Sequence, residues 1–256
     1  MSNPVFYAEP RQLAALAPGD GFSLDGAEGR HAVTVKRLAA GEQVDVCDGA
    51  GLRLVCTVTA AGAGVLDVRV DRVSAETAGD FELVLVQALA KGDRDELAIE
   101  TATELGIDTV VPWQAERSIV RWKMDKAVKG RAKWQNAVAA AAKQARRARI
   151  PEVGELVGTS GLVELVRGAG LALILHEDAL DTVPGVVRAW RGDGGGQPGV
   201  ARILVVVGPE GGINPAEVEA FVAAGAHTAL LGRQILRSST AGPAAVVLLS
   251  QELGRW

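Results

Sequence analysis

Glu210 stands in the run Gly208-Pro209-Glu210-Gly211-Gly212, directly after the apolar stretch Ile203 to Val207. A carboxylate in a glycine-rich loop beyond the carboxyl end of a buried strand sits where open α/β sheets hold ligands, because backbone N–H groups stay free there. Two roles are open to it: a proton acceptor whose pKa burial has raised, or a structural acceptor for loop N–H groups. A second glycine-containing loop, Leu231 to Ala241, precedes an apolar helix expected from about Gly242 to Leu253. No G-x-G-x-x-G opens a helix after a strand and no G-x-x-x-x-G-K-[ST] occurs, which disfavours dinucleotide and P-loop chemistry. Taken alone, Gly-Pro-Glu-Gly-Gly is also what a plain tight turn looks like.

Charge supplies a second kind of chemistry. The formal net charge is -4, yet Arg117 to Arg149 holds eleven Lys or Arg and one acid, Asp125, leaving 16 of the 27 basic and 30 of the 31 acidic residues elsewhere. Such an island is the footprint of a polyanion site; a solvated helix surface is the plainer alternative. Arg117, Arg121, Arg146, Arg147 and Arg149 are candidate phosphate contacts. Trp122 and Trp134 lie in the same stretch and suit either base stacking or an amphipathic helix core.

The elements that must place these groups change character along the chain. Gln43 to Cys47, Leu52 to Thr59 and Val65 to Val73 are short alternating runs separated by Gly- or Asp-containing turns, a small antiparallel β domain. Cys47 should face Leu52 rather than Cys56 across the Asp48-Gly49-Ala50-Gly51 turn, which predicts two buried free thiols. The polar segment from Ser74 to Asp80 marks the boundary, giving domains 1–74 and 75–256. Beyond it strands and helices alternate: a strand at Phe81 to Ala88, then a helix of about thirteen residues opened by Asp93 with Glu96 and closed by Gly106. A strand at Ile107 to Trp113, an Ala-rich helix from Asp125 to Arg147, and strands at Leu171 to Leu175 and Ile203 to Val207 come next. A Gly-rich loop is expected at Gly192 to Gly199. Asn214 as cap, Pro215 and Glu217 start another helix, running to about Gly225. This is an α/β pattern with a mostly parallel sheet covered by helices. Two Cys and three scattered His offer no metal-ligand spacing, so no metal is expected. Apolar runs fall short of the about 20 residues a membrane helix needs, and a soluble cytoplasmic protein is expected.

Gly208 to Gly212 together with Leu231 to Ala241 resembles the C-terminal signature of the SPOUT methyltransferases, and specifically the RsmE family of 16S ribosomal RNA uridine-N3 methyltransferases. Lys91-Gly92-Asp93, Thr103-Glu104-Leu105-Gly106, Arg117-Ser118, Gln144 with Arg146 and Arg147, and His176-Glu177 fall in that family's order, with His31 and Arg37-Leu38 resembling its N-terminal landmarks. The chain departs from the family at Ser239, where an acidic residue is usual. The resemblance implies a PUA-like β-barrel ahead of a SPOUT α/β domain with a C-terminal trefoil knot. It also implies a homodimer in which Ala244 to Leu249 could pack on the partner, a buried intramolecular helix being the alternative.

For the chemistry, the resemblance implies S-adenosylmethionine held by Leu175, His176 and Glu177, by Gly208, Pro209, Glu210, Gly211 and Gly212, and by Leu231, Gly232, Ile235, Leu236, Arg237, Thr240 and Ala241. Leu231, Ile235 and Leu236 would pack on the adenine or serve as ordinary core; Thr240 would cap the last helix or bond the cofactor; His176 would titrate or be structural. Uridine N3 is a protonated imide, so methylation there needs proton removal or stabilisation of the imidate. Arg237 is the first candidate to orient the base and meet that charge, and Glu210 to sit near the sulfonium or take the proton. Arg37 joins the RNA-contact candidates. The expected substrate is 16S rRNA or the small ribosomal subunit. Rival readings are a non-catalytic RNA-binding ribosome-assembly factor, a related enzyme acting on another RNA position, and a nucleotide-binding enzyme.

Overall fold

Period-two burial in the first third of the chain makes a sheet with one dry face. The computed structural model describes residues 3–77, 79–195 and 201–256. It divides into two units, Met1–Thr77 with Ala142–Ile150, and Ala78–Ala141 with Pro151–Trp256. In the first, β1 (Val5–Tyr7), β2 (Gly21–Leu24), β3 (Gln43–Cys47), β4 (Leu52–Gly62) and β5 (Val65–Ala75) lie in the order β1-β3-β4-β5-β2. β1 runs parallel to β3 and the other pairs are antiparallel. Leu54, Cys56 and Val58 of β4 join Leu66, Val68 and Val70 of β5 over Phe6, Leu13 and Leu24, since alternate residues of a strand share a face. Two short helices, α1 (Pro10–Leu13) and α2 (Gly26–Arg30), and a π-helical turn at His31–Val35 lie between these strands.

The β3–β4 turn is held by Asp48, whose Oδ1 accepts the N–H groups of Ala50 at 2.7 Å and Leu52 at 2.9 Å. Its register differs by one residue from expectation: Cys47 pairs with Arg53, and Cys56 with Val44. Both thiols are buried and free, and burial pushes each up to about 12, so neither is a nucleophile at neutral pH. Segment 142–150 is stitched to this unit by backbone. Tyr7 Oη donates to the Arg147 carbonyl at 2.8 Å, Arg53 Nη2 to the Arg146 carbonyl at 2.8 Å, and the Ile150 N–H to the Gly49 carbonyl at 2.9 Å.

The second unit alternates strands and helices: β6 (Phe81–Ala88), α3 (Arg94–Glu104), β7 (Thr109–Trp113), α4 (Asp125–Gln144), β8 (Glu152–Val153), α5 (Thr159–Arg167), β9 (Leu171–Leu175), α6 (Val183–Gly192), β10 (Ala201–Val207), α7 (Pro215–Ala223), β11 (His227–Ala229) and α8 (Ser238–Glu252). All described strand pairs of its sheet, ordered β11-β9-β10-β6-β7-β8, are parallel. Its central strands are apolar on both faces because helices cover both; Val84, Val86, Leu204 and Val206 face one core with Trp113 and Phe221. Among the described residues no helix is long and apolar enough to cross a membrane.

Helix ends differ from the sequence expectation where side chains have other partners. Asp93 occupies the left-handed region (φ 56°) and makes no capping bond; Lys133 Nζ instead donates to it at 3.2 Å. Gly106 (φ 99°) does end that helix, which is 11 residues long. α4 stops at Gln144 because Arg146 turns left-handed (φ 58°) and the Arg147 N–H reaches back to the Ala142 carbonyl at 2.9 Å, a Schellman-type finish. α8 begins at Ser238, not Gly242: Arg237 is the N-cap residue, and Thr240, inside the first turn, does not cap. Pro243 is accommodated within the helix. Of the expected Gly192 to Gly199 loop, residues 196–199 lie outside the described residues.

Candidate active site

Because β11, β9 and β10 are parallel neighbours, the loops beyond their carboxyl ends leave one edge of the sheet side by side. That edge gathers the three segments singled out in the sequence: 175–177, 208–212 and 231–237. The first and third are brought near each other by bonds at the end of β11, the His176 N–H to the Ala229 carbonyl at 3.1 Å and the Leu230 N–H to the Asp181 carbonyl at 2.8 Å. The second is a tight turn closed by the Gly212 N–H on the Pro209 carbonyl at 2.9 Å. Two of its glycines are required by space and conformation. A Cβ on Gly208 would lie 2.6 Å from Ile213 Cγ1, and Gly212 has φ +72°.

Glu210 is tied down. Its Oε1 accepts the Lys91 N–H at 3.1 Å and Arg94 Nη1 at 3.2 Å, joining the loop after β10 to the loop after its neighbour β6. Of the two roles open in the sequence, these bonds favour structural acceptor. His176 Nδ1 likewise accepts the Asp178 N–H at 3.2 Å, a local turn contact that matches its structural reading. On the other side of the 208–212 turn, Arg117 Nη1 donates to the Gly211 carbonyl at 3.2 Å. Asn214 caps α7 as expected, accepting the Ala216 N–H at 3.0 Å with Glu217 completing the box.

The loop after β11 is less satisfied. Ile235 is 81% exposed and Leu236 38%, so Ile235 is not ordinary core; Leu231 is half-buried. Arg237 is exposed and its guanidinium has no hydrogen-bond partner among the described residues. Ser238 Oγ is buried without a hydrogen-bond partner among the described residues, next to Ser239, 8% exposed. Apolar side chains left in water and a hydroxyl orphaned among the described residues fit a ligand that is part flat and apolar, part polar, as a nucleoside is. Among the described residues no cluster of three His, Cys, Asp or Glu could hold a metal ion.

Residues 77–250 match the RNA methyltransferase domain family, and residues 24–71 the RNA methyltransferase PUA domain. The ribosomal RNA small subunit methyltransferase E of Mycobacterium bovis is 41% identical over 237 residues, which span 91% of this chain and 87% of that protein. The chain belongs to the ribosomal RNA small subunit methyltransferase E family. The Bacillus subtilis member is 30% identical over 221 residues, 86% of each chain. The crystal structure of the Neisseria gonorrhoeae member, bound to S-adenosyl methionine, covers 98% of both chains with a TM-score of 0.80 at 25% identity. An α/β fold with a PUA-like domain is thereby common ground for the family and this chain.

In this methyltransferase E family member the candidate cations fall in two groups. Arg117 and Arg121 belong to the second unit, where Arg121 Nη2 donates to the Glu116 carbonyl. Nearby, Trp134 is 1% exposed and Trp122 meets it edge-on at 5.5 Å, resting where a Cβ on Gly130 would lie 2.5 Å from the ring. Trp134 is therefore core. Arg37, Arg146, Arg147 and Arg149 belong to the first unit. Arg37 is exposed, whereas Arg149 Nη2 donates to the Glu76 carbonyl at 2.8 Å and its guanidinium packs on Gly51. Sequence reasoning missed Arg94, whose signal was its place just after Gly92 at the end of an apolar strand, and the wider reach of Glu217.

Proposed function

We propose that this chain transfers a methyl group from S-adenosylmethionine to N3 of a uridine in 16S rRNA of the small ribosomal subunit. The observation that carries the reading is the meeting of three loops at one edge of the parallel sheet, in a chain of this family. Leu175 to Glu177, Gly208 to Gly212, and Leu231, Gly232, Ile235, Leu236, Thr240 and Ala241 would hold the cofactor, with Ser238 offering its unpartnered hydroxyl. When bound, the cofactor supplies an electrophilic methyl on a sulfonium.

The chain's own residues must bring the uracil ring in line and make its N3 electron-rich. Arg237, exposed and without a hydrogen-bond partner among the described residues, would donate to a uracil carbonyl oxygen and favour the imidate as the N3 proton passes to solvent water. Glu210 keeps the turn at its distance from Lys91 and Arg94. Arg117 and Arg121, with Arg37, Arg146 and Arg147, bind phosphates. We assign residues 1–74 to a PUA-like barrel that grips RNA and 75–256 to a SPOUT domain with a trefoil knot. The chain acts as a homodimer in the cytoplasm, where ribosomes are built; Val247 and Leu248 on α8, half-buried, leave apolar surface for the second copy.

Calorimetric titration with S-adenosylhomocysteine tests the site, and mass spectrometry of small-subunit RNA after reaction tests the product. Saturable binding with a methyl on uracil N3 is expected. A methyl on ribose would move the chain to another SPOUT specificity, and absence of binding would favour a non-catalytic RNA-binding factor.

A further inference from the structure

Glu217 is a carboxylate only 3% exposed on the first turn of α7, and its bonds reach beyond the helix it caps. Oε1 accepts the Glu116 N–H at 3.0 Å and the Thr159 hydroxyl at 2.6 Å, and Oε2 accepts the Asn214 N–H at 3.4 Å. Glu116 lies in the loop after β7, Thr159 opens α5 after β8, and Asn214 comes just after the 208–212 turn. One buried charge thus joins three loops at the edge where the site lies.

The junction is reinforced from its other side. Asn214 Nδ2 donates to Glu116 Oε2 at 2.6 Å, Arg121 Nη2 to the Glu116 carbonyl, and Arg117 Nη1 to the Gly211 carbonyl. A helix cap needs only the bond to Asn214; the bonds to Glu116 and Thr159 do nothing for the first turn of α7. Burying a carboxylate is costly unless donors replace its water, and charge-assisted bonds from three directions do so here while fixing those donors in place.

We propose that Glu217 is a positioning residue for methyl transfer: it holds the Gly208–Gly212 turn and the Arg117–Arg121 segment in one register. The cofactor loop and these two candidate RNA-binding cations are then set by the same carboxylate. The inference rests on the function proposed above.

Three full-length variants test it. Glu217→Gln keeps the shape and one acceptor oxygen, Glu217→Leu keeps bulk without an acceptor, and Thr159→Val removes one donor away from α7. S-adenosylhomocysteine affinity by calorimetry and small-subunit RNA affinity by filter binding are measured well below each variant's unfolding temperature. Glu217→Leu is expected to weaken both by about tenfold or more, Thr159→Val to weaken both by about two- to fivefold, and Glu217→Gln to stay within about threefold of wild type. Variants that unfold earlier yet bind both ligands as wild type overturn the proposal and leave Glu217 a stabilising cap. If Glu217→Leu does not fold, unchanged affinities in Thr159→Val decide against it. Wild-type protein that binds no S-adenosylhomocysteine sinks the methyltransferase reading instead, a failure visible before any substitution.

Discussion

Glu210 and Arg94 form an ion pair at 3.2 Å, and the same carboxylate oxygen accepts the Lys91 N–H at 3.1 Å. A base that took a proton at each turnover would weaken both bonds each time. Glu210→Gln, which keeps an acceptor oxygen, is therefore expected to hold kcat within about fivefold of wild type with the same pH–rate profile. Glu210→Ala should lose about tenfold or more in S-adenosylhomocysteine affinity as the two loops part. Loss of the profile's acidic limb in Glu210→Gln would restore the carboxylate as base.

Arg237 has no hydrogen-bond partner among the described residues, so its removal should act on the reaction. Arg237→Ala is expected to lower kcat by about a hundredfold or more while S-adenosylhomocysteine affinity stays within about threefold. Single-turnover methylation set beside calorimetry separates the two; turnover within about a factor of two of wild type would remove Arg237 from the chemistry.

The glycines of the 208–212 turn should not respond alike. A Cβ on Gly211 meets Arg117 at an ordinary 3.6 Å, whereas one on Gly208 lies 2.6 Å from Ile213. Gly208→Ala is expected to cost about 1–3 kcal/mol by urea unfolding through overpacking, and Gly211→Ala less than about 0.5 kcal/mol. Equal losses would mean the turn is built differently.

Arg149 is engaged within its own unit by the Glu76 carbonyl and Gly51, so Arg149→Ala should lower the unfolding temperature and leave the salt dependence of RNA binding unchanged. As phosphate contacts, Arg146 and Arg147 replaced together by Ala are expected to flatten that slope by about 0.7 for each phosphate no longer neutralised. An unchanged slope in the double variant would place the RNA elsewhere.

His31 gives the first unit a pH dependence whose sign follows from its surroundings. Burial, then the Lys143 ammonium, lowers its pKa from 6.5, against Glu28, which raises it, with Lys36 adding to the lowering; Nε2 is buried without a hydrogen-bond partner among the described residues. The folded unit prefers neutral imidazole, so this stability is present above pH 6.5 and is lost as pH falls through the lower folded value. Thermal unfolding across that window should weaken by at most about 1.4 kcal/mol per pH unit from this group, and His31→Gln should flatten the trend. A wild-type curve that does not weaken below pH 6.5 contradicts the sign.

Much of the secondary structure was legible because its causes are local. β3, β6 and β9 run over the residues expected, each an apolar or alternating run closed by turn-forming residues. The Asn214–Glu217 capping box is likewise encoded within four residues. β11 and β8 were missed because strands of three and two residues carry no readable period. The start of α8, expected at about Gly242, was misplaced because the Arg237 carbonyl already receives the Thr240 and Ala241 N–H groups.

By itself the sequence determined most of the longer strands, the glycine turns, the basic island and the residues that mark the family, all properties of neighbouring side chains or of composition. Only the tertiary structure decided that β11, β9 and β10 lie side by side and so bring three distant loops together. It also decided that Glu210 answers to Lys91 across 119 positions and Glu217 to Glu116 across 101. Local dihedral and hydrogen-bond preferences act over a few residues, whereas the partner of a buried charge is chosen by which strands pack together, and no period in the chain records that choice.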